Sequence, residues 1–322
     1  MRLPQQIRKT IKRAVFGSHE DVQQTDIGMQ DPQTEIVIEL HGLPAPQDVT
    51  NCHSVASAAP SAVAIGFDKK VANTVLPGVR PSLHFREKAA PHRLLGTLRL
   101  RLFSRESVED RDILTFRICG TTNYCLPTVR LWARYLHWAY LRYRHPPDTP
   151  MTALDVHAMP VLFICPRPVG VVSVTEGDLF NMFPLNLMGS LGGDRFGFAL
   201  NATRAAAAHV KRAKRIALSS IPLEQAALVR QLGRNHKRTE GTRLDELPFR
   251  TTLSACWGLP VPAFALRVRE LEVTAIQEMG SHTFFVARVI QDEQRANGLQ
   301  FCMIHGIYQR WRERNSAPSS RQ

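Results

Sequence analysis

The stretch FALRVRELEVTAIQEMGSHTFFVARVI, residues 264–290, predicts two long β-strands joined by a glycine turn. The second strand is mostly apolar, and Gly280 and Ser281 stand directly before it, so His282 falls where that strand begins. A histidine in this place is either a hairpin residue bonded to nearby backbone or a side chain that faces a ligand at the strand's end. On these residues alone both interpretations stay open.

Short strands and two helices surround this hairpin in the second half of the chain. Alanine-rich spacing predicts a helix over 202–215 with basic residues in its last turn, and a second helix opens on Pro222 and closes near Gly233. Further strands are predicted at MPVLFIC (159–165), VGVVSVT (169–175), RFGFALN (195–201), IALSS (216–220) and LQFCMIHGIYQRW (299–311).

The first half also has the pattern of a β-rich domain, with predicted strands at 34–40, 61–67, 81–87, 95–103 and 113–119. Helical spacing follows over 125–145. The three prolines of RHPPDTP, residues 144–150, cannot continue a helix, so the domain boundary is predicted there. No internal repeat is visible in the sequence.

The predicted fold is therefore mainly β with flanking helices, of the α+β class. Its parts are a basic, polar segment at 1–33, a β-rich domain closed by one long helix at 34–145, a second domain at 151–312 and a flexible tail at 313–322. The long helix carries arginines among aromatic residues. We favour the interpretation that the aromatics are core and the arginines solvated, with nucleic-acid stacking as the alternative.

Composition limits the classes of function. The 322 residues carry a net charge of +13, which favours an anionic partner such as nucleic acid, a lipid surface or a phosphorylated cofactor. The six cysteines form no CxxC pair, so no metal site is predicted. With no signal-peptide pattern and no apolar run of about 20 residues, we expect a cytoplasmic protein without a membrane span.

Standard catalytic motifs are missing, but five weaker segments occur in an informative order. The turn 176–178 is followed by NMFPLN (181–186), then FALNATRAAAAHV (198–210), RIALSSIP (215–222), the Gly-x-His hairpin, and FCMIHGIYQRW (301–311). In this order and spacing, residues from about 157 to 312 resemble the flavin reductase-like branch of the FMN-binding split β-barrel proteins. Asn186 stands where the family has serine, and GSLGGDRF (189–196) replaces its Pro-Pro pair.

The resemblance implies an antiparallel split β-barrel in the C-terminal half, with FMN, or FAD as the other possibility, at its edge. Flavin contacts are implied for Asn181, Pro184, Asn186, Leu187 and Met188. The alternative for Asn181 is an ordinary turn residue, and the alternative for Leu187 and Met188 is a place in the core.

The flavin phosphate is expected at the start of the alanine-rich helix. There Thr203 offers a hydroxyl and Arg204 a pair of donors, beside the free amides of the first turn. The basic run His236, Lys237 and Arg238 is the candidate site for a nicotinamide nucleotide's phosphates, with a solvated loop as the alternative.

The resemblance also gives His282 its predicted role as the catalytic-site residue that faces the flavin ring where the nicotinamide stacks. It would orient the carboxamide or stabilise the charge of the reduced flavin. The expected function is an NAD(P)H-dependent flavin reductase or related FMN flavoprotein. The resemblance implies a homodimer and, as a candidate partner, a flavin-dependent monooxygenase. The alternative is a basic binding module for nucleic acid or a protein partner, without flavin chemistry.

Overall fold

The computed structural model describes residues 24–30, 35–75, 78–108, 111–144 and 150–316. Within these ranges the chain forms two antiparallel sheets of seven strands each, a three-stranded sheet and a short hairpin. The prediction of a mainly β fold with flanking helices is confirmed. The predicted boundary at 144–150 falls mostly on residues outside the described ranges, and so do most of segment 1–33 and the end of tail 313–322.

The first large sheet has the spatial order β3-β2-β6-β7-β8-β5-β4. Its strands are β2 (Ile36–His41), β3 (Gln47–Asp48), β4 (His53–Ala58), β5 (Ser61–Asp68), β6 (Ser82–Glu87), β7 (Leu94–Val108) and β8 (Arg111–Asn123). The second has the order β11-β10-β14-β17-β18-β13-β12. Its strands are β10 (Gly170–Glu176), β11 (Leu179–Leu185), β12 (Met188–Gly192), β13 (Arg195–Asn201), β14 (Arg215–Ser220), β17 (Arg267–Glu278) and β18 (His282–Gln294).

Smaller elements complete the fold. The three-stranded sheet joins β1 (Gln24–Met29), β19 (Gln300–His305) and β9 (Arg167–Pro168), and the hairpin pairs β15 (Thr251–Leu253) with β16 (Pro260–Pro262). The helices are α1 (Lys69–Ala72), α2 (Thr128–Arg144), α3 (Ala153–Leu162), α4 (Ala205–Ala213), α5 (Ala226–Gln231) and α6 (Gly306–Ser316).

The two large sheets repeat one topology. When the strands of each half are counted in chain order, both sheets run 2-1-5-6-7-4-3 in space. The β-bulges also fall at matching places, at Val55/Ser57 in β4 and Ser190/Gly192 in β12. The longest hairpins carry two bulges each with the same spacing, at Arg99/Leu100 and Leu102/Ser104 in β7 and at Glu270/Leu271 and Val273/Ala275 in β17. The repeat that the sequence does not reveal is therefore present in the fold.

The two halves pack together through the ends of these sheets. The Ser54 hydroxyl donates to the Gly197 carbonyl at 3.1 Å, which ties β4 to β13. One hydrophobic core contains residues of the first sheet together with Leu191 and Phe284 of the second sheet and Leu187 between β11 and β12. A further core consists of residues of the second sheet and of α4. The family-like half is thus backed along β12 and β13 by the first half of the same chain.

Several predicted elements are corrected. MPVLFIC is the end of helix α3 and the turn after it, because Thr152 and Asp155 form a capping box that starts a helix at Ala153. The closing segment leaves its strand at His305 and continues as α6, so the tail is helical to residue 316. Strand β1 lies inside the segment expected to be irregular, where it pairs with β19.

Candidate active site

A cavity of about 290 Å³ opens in the second half between the ends of β11 and β13, the start of α4 and the start of β18. Most of the predicted site residues line it, namely Pro184, Asn186, Leu187, Arg204, His236, Lys237 and His282. A second hollow of about 330 Å³ shares the wall from Pro184 to Asn186 and His236, and it adds Phe301 and Met303. The two hollows therefore share one wall.

Strand register explains why distant residues meet here. In the antiparallel pair β13–β18, Asn201 lies opposite His282. The chain then turns at once into α4, with the Arg204 amide donating to the Asn201 carbonyl at 3.1 Å. Arg204 is the N-cap residue, and its own side chain makes no capping hydrogen bond. The positive end of the α4 dipole and the Arg204 guanidinium therefore lie at the same cavity wall.

The cavity combines three kinds of surface. Leu185, Leu187, Ala199 and Leu200 provide apolar walls, Asn186 and Asn201 provide amides, and Arg204 and Lys237 provide positive charge. An apolar ring system with polar edges and an anionic tail matches this distribution chemically.

His282 is held in one protonation state by its neighbours. The Ala58 amide donates to Nδ1 at 3.5 Å, and the Ser281 hydroxyl lies 2.7 Å from the same nitrogen. Because a backbone N–H can only donate, Nδ1 is an acceptor and the ring proton resides on Nε2. Burial lowers the pKa of His282 to about 4, so the neutral ring with an Nε2–H donor is present at neutral pH.

His236 and its neighbours form a 3₁₀ turn, Leu232–Lys237, rather than the solvated loop considered as the alternative. Its ring lies 2.8 Å from the Pro184 carbonyl and packs against Phe183. Burial lowers the pKa of His236, so it contributes shape and a hydrogen bond instead of charge. Lys237 remains exposed at the cavity, whereas Arg238 does not line it and pairs with Glu246.

Asn181 lies in strand β11 and is fully buried, not in the turn expected for it. Its side chain bonds the Asn235 carbonyl at 3.1 Å, the Thr242 hydroxyl at 3.1 Å and the Met182 amide at 2.8 Å. These bonds anchor the 3₁₀ turn behind the cavity. Asn181 is not among the residues that line either hollow.

Two further predicted residues also stand apart from the cavity. Met188 packs into the hydrophobic core of the second sheet. Thr203 is exposed and does not cap the helix, because its amide and hydroxyl both bond the Asn201 carboxamide, at 3.0 and 2.8 Å. The start of α4 is thereby shaped by Asn201, which lines the cavity.

Asn201 and Gly233 are wall residues that sequence reasoning did not select. Asn201 carried a usable signal, since it stands at a strand end directly before the Thr-Arg pair. Gly233 carried none beyond closing a helix. Ala58 and Ser281, which fix the His282 ring, come from different halves of the chain and have no local pattern.

The aromatic side chains of the long helix α2 do not all lie in the core, contrary to the interpretation favoured from the sequence. Trp132 and Tyr140 are 57% and 53% exposed, although Leu131 is buried and Tyr135 stacks on His157. Among the described residues there is no group of three or more His, Cys, Asp or Glu placed to hold a metal ion. Over the same ranges, no helix has the length and apolarity to cross a membrane.

Comparison with known proteins identifies the second half. Residues 162–312 match the flavin reductase like domain, so this part of the chain carries a flavin reductase-like domain, as the resemblance predicted. No curated protein matches the chain.

Several solved structures are similar to part of this chain. An FMN-binding protein from Thermus thermophilus is 27% identical over 40% of this chain and 71% of its own, with a TM-score of 0.36. The NADH:FAD oxidoreductase SgcE6 of Streptomyces globisporus C-1027 is 20% identical over 50% of this chain and 94% of its own, with a TM-score of 0.42. The styrene monooxygenase flavin reductase of Pseudomonas putida S12 is 20% identical over 47% of this chain and 93% of its own, with a TM-score of 0.39.

Proposed function

We propose, on the premise that residues 162–312 form a flavin reductase-like domain, that the protein binds FMN and reduces it with NAD(P)H. The observation that carries this proposal is the cavity of that domain, whose apolar walls, amide edges and cationic end lie together. FAD is the alternative flavin.

The residues present fit a flavin mononucleotide. Leu185, Leu187 and Leu200 offer apolar contact for a flat ring, and the Asn186 amide offers hydrogen bonds to its edge. Arg204 and the N-terminus of α4 offer charge and dipole to a phosphate. When bound, the flavin supplies the redox chemistry by accepting a hydride at N5 from the nicotinamide.

His282 would act as a donor and positioning group. Its neutral ring presents the Nε2 proton, while Nδ1 is engaged by Ala58 and Ser281. Such a donor orients a carboxamide or an electron-rich ring edge without transferring its proton. Lys237 and His236 extend the wall on which we place the nicotinamide nucleotide. Arg238, held by Glu246, is left out of the proposed site.

Other features of the expected function belong to the same proposal. A cytoplasmic location and delivery of reduced flavin to a separate monooxygenase rest on the resemblance. In place of the homodimer that the resemblance implies, we propose that the two halves of one chain pair with each other. It is supported by the repeated topology and by the backbone contacts of β4 and β5 with β12.

A purified sample provides the direct test. We expect added FMN to bind with a change in its absorbance and fluorescence, and NADH or NADPH to be oxidised in its presence. Replacement of a charge-assisted phosphate contact in R204Q should weaken FMN binding by about tenfold or more. R243Q is the matched control, because Arg243 is an exposed arginine outside the cavity that pairs with Asp245 at 2.8 Å.

The reductase proposal fails if the wild-type protein neither binds flavin nor oxidises either nucleotide. Equal FMN affinity in R204Q and R243Q would instead remove Arg204 from the phosphate site.

A second candidate function rests on helix α2. Its exposed Trp132 and Tyr140 lie on the same helix as exposed Arg130, in a protein of net charge +13. Aromatic and cationic groups of this kind suit single-stranded nucleic acid. Retention of an oligonucleotide that weakens steeply with salt would support it, whereas no retention at low salt would exclude it.

A further inference from the structure

A separate cavity of about 440 Å³ lies where the two halves of the chain meet. Thr50, Asn51 and His53 line it from the first half, and Met188 and Ser190 line it from the second. The residue before Met188 faces the proposed flavin cavity. Because adjacent residues of an extended strand point to opposite faces, the two cavities lie on opposite sides of this segment.

The position of this cavity follows from the repeat. His53 and Met188 are the first residues of the equivalent strands β4 and β12. The strands approach so closely that a Cβ atom on Gly189 would lie 2.3 Å from the His53 carbonyl oxygen. The cavity therefore lies where equivalent strands of the two halves meet, and both halves build its wall.

One wall residue is a buried cation. Arg167 is 2% exposed, its Nε donates to the Leu162 carbonyl at 3.1 Å, and its Nη1 lies 3.1 Å from His53 Nε2. Its Nη2 is buried and has no hydrogen-bond partner among the described residues. No described carboxylate pairs with it either. A buried guanidinium without a counter-charge is costly, and an anion in the adjoining cavity would relieve that cost.

His53 holds this guanidinium without adding a charge. The His53 Nδ1 lies 2.9 Å from the Val49 carbonyl, so Nδ1 carries the proton and Nε2 accepts from Arg167. Burial first, and then the charge of Arg167, lower the pKa of His53 to about 3. The ring is therefore neutral, and it orients the arginine toward the cavity.

Two more arginines line the same cavity. Arg267 and Arg269 share a single carboxylate, Asp292, with Arg269 Nε 3.1 Å from Asp292 Oδ2. Arg269 also lies over the Phe196 ring, 5.7 Å from its centroid. None of the described residues that line the cavity is acidic. Arg167, Arg267 and Arg269 thus carry three positive charges against the single negative charge of Asp292, which leaves an excess of two.

We propose that this cavity is a binding site for a phosphate-bearing small molecule, distinct from the flavin cavity. Arg167 Nη2 is a planar guanidinium donor that matches a phosphate oxygen, and Arg267 and Arg269 add positive charge beside it. A dianion balances the excess charge better than a monocarboxylate does. The hydroxyls and amides of Thr50 and Asn51 supply further hydrogen bonds.

Calorimetric titration of the full-length protein with inorganic phosphate and with pyrophosphate tests the site. Ionic strength is held constant, FMN is present at saturation, and acetate and malonate serve as carboxylate probes. We expect one equivalent of phosphate or pyrophosphate to bind, more tightly than either carboxylate. Absence of binding by both phosphate probes would overturn the proposal, and tighter binding of the carboxylates would overturn its assignment to phosphate.

Variants assign any binding to this cavity. R267Q and R269Q, and S190E at the exposed rim, should each weaken pyrophosphate about tenfold or more while FMN affinity stays unchanged. R204Q should do the reverse, and R243Q should change neither. The proposal would be overturned if R267Q, R269Q and S190E all bound pyrophosphate as tightly as wild type. It would also be overturned if R204Q were the only variant to lose pyrophosphate binding. Circular dichroism verifies that each variant is folded.

Discussion

His282 shows how a single side chain depends on both halves of the chain. Its sequence position places it at the start of β18, but its tautomer is set by Ala58 of the first half and by Ser281. The neutral ring is an Nε2–H donor at neutral pH.

Titration of His282 tests this state. Since its folded pKa of about 4 lies below the ordinary 6.5, the unfolded chain binds more protons between these values. The stability that His282 contributes is therefore fully present above 6.5 and is lost as the pH falls toward 4. We expect H282Q to lose less unfolding free energy than wild type between about pH 7 and pH 5. Chemical denaturation at both pH values measures this, and an equal loss in the two proteins would contradict it.

The same state predicts a kinetic result. If His282 is a neutral donor that positions nicotinamide, the pH profile of kcat/KM should show no inflection near pH 6.5 that disappears in H282Q. H282A should raise KM for NAD(P)H about tenfold. H282Q keeps an amide donor and should recover part of the loss. A wild-type inflection near 6.5 that vanishes in H282Q would assign His282 to acid–base catalysis.

Asn181 is predicted to stabilise the fold and not to touch flavin. Replacement by leucine removes the partner of the Thr242 hydroxyl and of the Met182 amide in a buried site. We expect N181L to lower the free energy of unfolding by about 1–3 kcal/mol. N186A, at the half-buried cavity wall, should instead weaken FMN binding with a smaller effect on stability. Denaturant titration and FMN titration of both variants separate the two roles.

At the scale of elements, the strands that join the two halves approach so closely that small residues are required at the points of backbone contact. A Cβ on Gly66 of β5 would lie 1.8 Å from the Leu191 carbonyl oxygen, and one on Gly189 of β12 would lie 2.3 Å from that of His53. Backbone atoms cannot move aside as side chains can. We expect G66A and G189A each to destabilise the protein by about 1–3 kcal/mol.

A control for these glycines is G233A. Among the described residues outside its own turn, no atom lies within 4 Å of a Cβ added to Gly233, so the added methyl should leave stability nearly unchanged. Thermal and urea unfolding measure all three variants. If G66A and G189A proved as stable as G233A, the two halves would not meet through these strands.

The whole molecule has the architecture of two repeats in one chain. Because β4 and β5 already cover β12 and β13, this face is closed to a second copy. We expect a monomer of 36.2 kDa in light scattering at micromolar concentration, with both halves unfolding in one transition because they share a core. A stable dimer would restore the expectation drawn from the resemblance.

Local patterns in the sequence were enough for much of the second half. Short apolar runs predicted β10, β13 and β14, and two long runs joined by a glycine turn predicted β17 and β18. The order of segments indicated a flavin reductase-like domain. Both signals depend on neighbours along the chain. Most of the cavity wall followed from the same order.

Tertiary structure alone decided the rest. Asn201 lines the cavity and Asn181 does not, because strand register, and not spacing along the sequence, determines which side chains face a cavity. The contact of Arg167 with His53 and that of His282 with Ala58 join residues more than 100 positions apart, and the repeat is visible only in the arrangement of the two sheets. No periodicity in a linear pattern encodes such contacts, since they arise only when the two sheets pack.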